Sequence, residues 1–240
     1  MKDPDSSIKI GPIETHRCPF CGAGRLYELS DGRRKCAICK RRHAPKKLQR
    51  EFDLIECFCR NQSALQAAET LGITYVTAKN FFDRIRRLLP ALLEADYEQN
   101  RDRITEYDEY LYLDHSKRKD KRRIFEAHNL LTFDYGGRTY SILMPPLDRF
   151  KVAFLEDGLE EVYYREFSRF LTIHRIARLK SRDNTIVRFW RFLDEHMKHY
   201  RGVNPENFFY YLKEAEFLFN YPMPRREAVL RELLWGFKAR

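Results

Sequence analysis

The 240 residues carry 45 lysines and arginines against 35 acids, a formal net charge of +10 and a pI near 9.3. With 43% hydrophobic residues the chain can fill a core, which excludes a disordered polyelectrolyte, and the charge excess points to a polyanionic partner. No apolar run approaches the roughly 20 residues that span a bilayer, and none of signal-peptide length follows Met1, so the expectation is a cytoplasmic, nucleoid-associated protein with no membrane contact and no small-molecule substrate.

Residues 1 to about 15 read as a polar leader without an assigned role. Two Cys-x-x-Cys knuckles follow, Cys18/Cys21 and Cys36/Cys39, flanking a strand from Leu26 to Leu29 and a turn at Asp31-Gly32. Four soft sulfur ligands in two such pairs suit a tetrahedral structural Zn2+. Two disulfides are the competing use of this spacing, and they require an oxidising compartment that the rest of the chain does not suggest. Cys57 and Cys59 lie outside the pattern, where small buried thiols are expected. Between Arg33 and Arg50 there is no acid, while Arg33, Arg34, Lys35, Arg41, Arg42, Lys46 and Lys47 accumulate. That one-signed run suits the phosphates of double-stranded DNA, and a basic surface without a partner is the alternative.

The periodicity predicts a helix over Lys46 to Arg60. A second begins at the capping box Ser63-Ala-Leu-Gln66 and stops at Gly72, and a third is capped by Thr74 and runs through Tyr75, Ala78, Phe81, Phe82 and Ile85 toward Pro90. Short helix, Leu-Gly-Ile turn and capped helix form a helix-turn-helix pattern, with Thr77, Lys79, Asn80 and Arg84 placed to reach bases or phosphates and Arg86 and Arg87 to hold the backbone. A plain three-helix bundle has the same pattern.

Asp96 to Arg103 reads as a charged linker. Strands are then expected over Ile104 to Leu113, Ile124 to Tyr135, Thr139 to Met144 and Lys151 to Leu155, with Gly136-Gly137 as a tight turn. A helix over Leu159 to Phe170 and a strand over Leu171 to Ala177 complete a mixed α/β order. Asp108 falls mid-strand and Asp157 at a strand end. Two such acids side by side would hold Mg2+ for phosphodiester chemistry; on separate surfaces, Asp108 is solvated and Asp157 caps a helix.

The chain from Cys18 onward resembles the zinc-ribbon insertion-sequence transposases with an RNase-H-like catalytic domain of the Asp-Asp-Glu/Asn type, as a degenerate or domesticated member. The likeness rests on the CPFCG and CAIC knuckles, the helix-turn-helix, Glu106-Tyr-Asp108-Glu109, Glu156-Asp157-Gly158, the stretch from Asn184 to Trp190, and Glu216-Phe217-x-Phe219-Asn220-Tyr221. It implies an α+β multidomain protein: a leader and ribbon over 1–45, a helix-turn-helix over 46–100, and an RNase-H-like mixed α/β domain with C-terminal helices over 101–240. It further implies recognition of element ends, Mg2+-dependent cleavage and strand transfer by Asp108, Asp157 and Asn184, and action as a homodimer or larger assembly.

The departures cluster on the catalytic face. The family's Glu position reads Val187, its Lys position Asp194, the His before Asn184 is Arg182, and Pro222 replaces an Arg after Tyr221. Valine cannot hold a cation, and an acid repels the phosphate that a lysine grips. These changes suggest a derivative that binds DNA without cutting it, as a regulator or architectural protein. Arg225 to Trp235 reads as a closing amphipathic helix, packing or dimer-forming.

Overall fold

In the computed structural model, described over residues 17–146, 184–200 and 203–236, the chain is mixed α+β, with six helices and two three-stranded antiparallel sheets among the described residues. It divides into two compact units, residues 1–85 with 223–240 and residues 86–222. The expected strand at Lys151–Leu155, helix at Leu159–Phe170 and strand at Leu171–Ala177 lie outside the described residues, as does Asp157. Among the described residues no helix is long and apolar enough to cross a membrane.

In the first unit β1 (Leu26–Glu28), β2 (Arg34–Cys36) and β3 (Arg42–His43) form a sheet in the order β1-β2-β3. The third strand has two residues, too few to leave a period in the sequence. Helix α1 (Pro45–Cys59) starts on a proline, whose missing N–H costs nothing in a first turn, and buries Leu48, Leu54, Ile55 and Phe58. Helix α2 (Ala64–Leu71) opens with the predicted capping box: Gln66 N–H donates to Ser63 Oγ at 3.3 Å and Ser63 N–H to Gln66 Oε1 at 2.8 Å. Gly72 ends it at φ 62°, a conformation that costs other residues about 1 kcal/mol or more. Helix α3 (Tyr75–Asn100) is capped by Thr74, whose Oγ1 accepts from Thr77 N–H at 3.3 Å, and Phe82 meets Phe58 edge-on at 5.1 Å.

The second unit takes over within α3. The sequence predicts a linker from Asp96, but α3 continues through Pro90 to Asn100 and ends in a single 3-10 turn, Arg101–Arg103. Distant partners hold its last turns. Arg138 Nη1 and Tyr135 Oη donate to Asp96 at 2.8 and 3.1 Å, and the Tyr97 ring stacks on Tyr140 at 4.4 Å.

A meander of β4 (Ile104–Tyr112), β5 (His128–Tyr135) and β6 (Thr139–Leu143) follows in that spatial order. β5 starts later than the predicted Ile124 because Lys121–Glu126 coils into 3-10 turns. Gly136 and Gly137, at φ 70° and 84°, make the two-residue turn that twists with its strands, closed by Tyr135 N–H on Arg138 O at 2.9 Å.

Side chains alternate across this sheet. Asp108, Tyr110, Leu130 and Thr132 share the face covered by α4 (Thr185–Met197) and α5 (Phe208–Asn220), while Phe133 and Tyr140 face Tyr97. Trp190 stacks on Tyr110 at 4.9 Å and donates its indole N–H to Thr132 Oγ1 at 3.1 Å; Phe208 stacks on His128 at 3.8 Å. These contacts and the buried Ile186, Phe189, Leu193 and Leu212 form the core of the unit.

Along the β6 edge α5 presents Lys213, Glu216 and Asn220, spaced to share one side of a helix, and all three bond the strand's backbone. The last helix, α6 (Met223–Trp235), belongs to the first unit and packs on α1, with Arg226 donating to Cys59 O at 2.6 Å and Trp235 edge-on to Phe52 at 5.2 Å.

Candidate metal centre and nucleic-acid interface

The four knuckle sulfurs of Cys18, Cys21, Cys36 and Cys39 lie within 4.8 Å of one another, with 3.6 Å between Cys18 and Cys39 and again between Cys21 and Cys36. A disulfide would hold a pair at about 2.05 Å, whereas a tetrahedral ion with Zn–S of about 2.3 Å separates its ligands by about 3.8 Å. The thiols are therefore separate, and their spacing fits a metal ion such as zinc. The residue after each knuckle, Gly22 at φ 73° and Lys40 at φ 62°, turns left-handed, which folds the backbone back over the sulfurs. Phe20 N–H points at Cys18 Sγ (3.4 Å), and Ile38 and Cys39 N–H at Cys36 Sγ (3.3 and 3.4 Å).

Those donors matter to charge. Burial opposes a thiolate at Cys36, but the N–H groups of Cys39 and Ile38 and the thiols of Cys21 and Cys18 outweigh it and bring the group down to about 6. Burial dominates at Cys18, which is pushed up to about 12. Cys57 and Cys59 are buried in α1, as the sequence suggests, and burial holds the Cys57 thiol up at about 11.

The basic run is not uniformly available. Arg33 donates to Asp31 at 2.6 Å, Arg34 to Glu28 at 3.1 Å, and Lys47 lies 4.0 Å from Glu51. Arg41 lies over the Phe20 ring and donates to Trp235 O at 2.7 Å. Among the described residues Lys35, Arg42 and Lys46 have no ion-pair partner, and Arg42 and Lys46 are exposed.

On α3 the residues Val76, Lys79, Asn80, Arg84 and Arg87 are exposed along one side, with Lys79 paired to Asp83 at 2.6 Å. Thr77 is half-buried against Thr74, the hydroxyls 2.8 Å apart. Tyr75, the first residue of the apolar series along α3, is 49% exposed, and Val76 beside it 61%. Arg86 departs from expectation. It follows the Phe82–Leu89–Leu93 side inward, is 3% exposed, and donates to Glu214 at 2.7 Å and Tyr200 Oη at 3.3 Å, so it is closed to a phosphate.

In the second unit Asn184 and Asp108 come to one side of β4. Asn184 Oδ1 accepts from Val187 N–H at 2.9 Å, capping α4, while its Nδ2 donates to Glu106 Oε2 at 2.8 Å. Glu106 shares its sheet face with Asp108 and stands opposite Asp134. Asp108 Oδ1 takes Glu109 N–H at 2.8 Å. Val187 sits in the core, 5% exposed. Asp194 receives both guanidinium ends of Arg118, with His115 Nε2 at 3.5 Å, so its charge is balanced rather than presented to a phosphate. Among the described residues the four cysteines are the one group of three or more metal-binding side chains whose ligand atoms converge.

Nothing in the local sequence marks Glu106 as the partner of Asn184, or Tyr75 and Val76 as exposed groups at the start of α3. Comparisons of the chain with protein-family models, with characterised proteins and with solved structures returned no match.

Proposed function

We propose that the chain binds duplex DNA through a zinc-held ribbon and a helix-turn-helix, and that it descends from transposases of the zinc-ribbon, RNase-H-like kind. The observation that carries this is the four-cysteine cluster followed, after α1, by the capped α2–turn–α3, with Lys79, Asn80, Arg84 and Arg87 exposed along α3. Zinc, held by Cys18, Cys21, Cys36 and Cys39, is a structural staple. The first residues of α3 enter the major groove, and Lys35, Arg42 and Lys46 hold phosphates. A homodimer engages paired sites, and the nucleoid is its location.

For the second unit, the first reading is Mg2+-dependent cleavage and strand transfer at element ends, with Asp108, Asp157 and Asn184 holding the ions. Binding without cleavage is the second. It is favoured by Asn184, whose amide is engaged on both sides, by Val187 in the core and by the Asp194–Arg118 pair.

Selection of bound duplexes from a random library, followed by mobility shift near physiological salt, tests the binding. A preferred sequence is expected, with affinity lowered at least about tenfold in Asn80→Ala and Arg84→Ala. Equal affinity for all duplexes, or indifference to both variants, would sink it. Incubating the selected duplex with Mg2+ separates the two readings: nicking by the parent chain and not by Asp108→Ala supports catalysis, and intact DNA supports binding alone.

A further inference from the structure

The ribbon carries a second surface that the metal does not use. Strand registry aligns Tyr27 with Lys35 and Lys35 with Arg42, so these three side chains form one row across all three strands. The opposite face carries Leu26, Glu28, Arg34 and the metal-side Cys36. Tyr27 is 47% exposed although it belongs to a sheet, and the guanidinium of Arg25 lies 5.5 Å from its ring centre. The strand positions of this row contain no carboxylate. Glu28, the acid nearest in sequence, is on the other face and bound to Arg34.

A large ring left half-exposed among three cations, Arg25, Lys35 and Arg42, needs a partner that is both flat and anionic. Duplex DNA offers phosphates but keeps the faces of its bases in its own stack. Unpaired DNA offers both at once, because each base has a free face and each linkage a charge. We propose that this row is a stacking platform for single-stranded DNA, one base on Tyr27 with the successive phosphates to one side of it on Lys35 and Arg42. The sheet is about 10 Å across, which matches one or two nucleotides rather than a long track. The assignment rests on DNA as the partner of the chain and extends it: α3 reads paired DNA, and the phosphates held by Lys35 and Arg42 are those of an unpaired stretch beside it.

The test uses the full-length, zinc-loaded chain and fluorescence anisotropy with three labelled probes: the selected duplex with blunt ends, the same duplex with a six-nucleotide unpaired DNA tail, and that duplex with an RNA tail of the same sequence. The DNA tail is expected to tighten binding about tenfold over the blunt duplex. Tyr27→Ala removes that gain and leaves blunt-duplex affinity unchanged, while Tyr27→Trp keeps it. Lys35→Gln with Arg42→Gln reduces the salt dependence of the tailed probe more than that of the blunt one. Unchanged zinc content in each variant verifies the ribbon. No gain from the tail, equal loss on blunt and tailed probes in Tyr27→Ala, or a larger gain from the RNA tail would overturn the platform. Failure of α3 variants to affect the blunt duplex would overturn duplex reading instead, and an unpaired DNA oligonucleotide alone, with and without Tyr27→Ala, still decides the platform.

Discussion

Asn220 meets the backbone of Thr139 with both ends of its side-chain amide, Oδ1 accepting from N–H at 2.8 Å and Nδ2 donating to C=O at 2.7 Å. This is the exchange a neighbouring strand would make. Two residues on, Ser141 N–H donates to Glu216 Oε1 at 2.6 Å and Ser141 C=O accepts from Lys213 Nζ at 2.8 Å. Three side chains of α5 thus satisfy the edge of β6, and two of them, Glu216 and Asn220, belong to a stretch on which the resemblance rests.

The clamp places a fully buried ion pair, Lys213 with Glu216 at 2.8 Å, in the second unit. Glu216→Ala leaves the ammonium buried and unpaired and should cost about 3–5 kcal/mol in urea unfolding. Lys213→Met combined with Glu216→Leu should cost clearly less than the two single changes added together, because no lone charge remains. Additive losses would show that the pair is not coupled.

Asn184 links the start of α4 to β4. Asn184→Ala should destabilise the unit by about 1–2 kcal/mol, from the lost cap. Asn184→Asp keeps an acceptor for Val187 N–H but sets a carboxylate against Glu106. Asn184→Asp combined with Glu106→Gln should recover stability relative to Asn184→Asp alone in thermal unfolding. Were Asn184 only a surface cap, the Glu106 change would make no difference.

Acid should weaken the second unit in a definite window. Burial lowers both His196 and His128 from 6.5 to about 4. For a histidine depressed in the fold, the unfolded chain takes up the proton first, so the stability present above about pH 6.5 is lost as pH falls toward 4. Each ring should account for about 2 kcal/mol between pH 7 and pH 5. His196→Leu should flatten the fall in urea-derived stability by its own share; an unchanged slope would remove His196 from the account.

Gly72 sets the turn between α2 and α3. An added Cβ meets nothing within 4 Å, so Gly72→Ala isolates backbone strain at φ 62° and should cost about 1 kcal/mol. Gly72→Asn should cost less, since asparagine tolerates this conformation better. Denaturant midpoints of the two variants, compared at equal m-value, give the ordering directly.

Zinc should bind at about one equivalent per chain and be lost on acidification as the thiols take up protons. Cys39→Ser should lower metal content by elemental analysis and raise amide exchange across Leu26–His43, while α1 and α2 keep their protection. Full metal retention in Cys39→Ser would remove that residue from the ligand set.

What the sequence determined by itself is what short-range chemistry encodes. Each Cys-x-x-Cys knuckle taken singly, the Ser63/Gln66 box, Gly72, the Thr74 cap and the Gly136-Gly137 turn depend on residues within about one turn of chain, and each is where the spacing predicted. Tertiary structure decided the fate of charges and helix ends. Arg86 follows the buried side of α3 and finds Glu214, Asp96 is held helical by Arg138, Asp194 is balanced by Arg118, and Asn220 completes a strand it does not adjoin in sequence. A buried charge is tolerated only with a partner, and these partners are remote along the chain, so no local pattern could announce them.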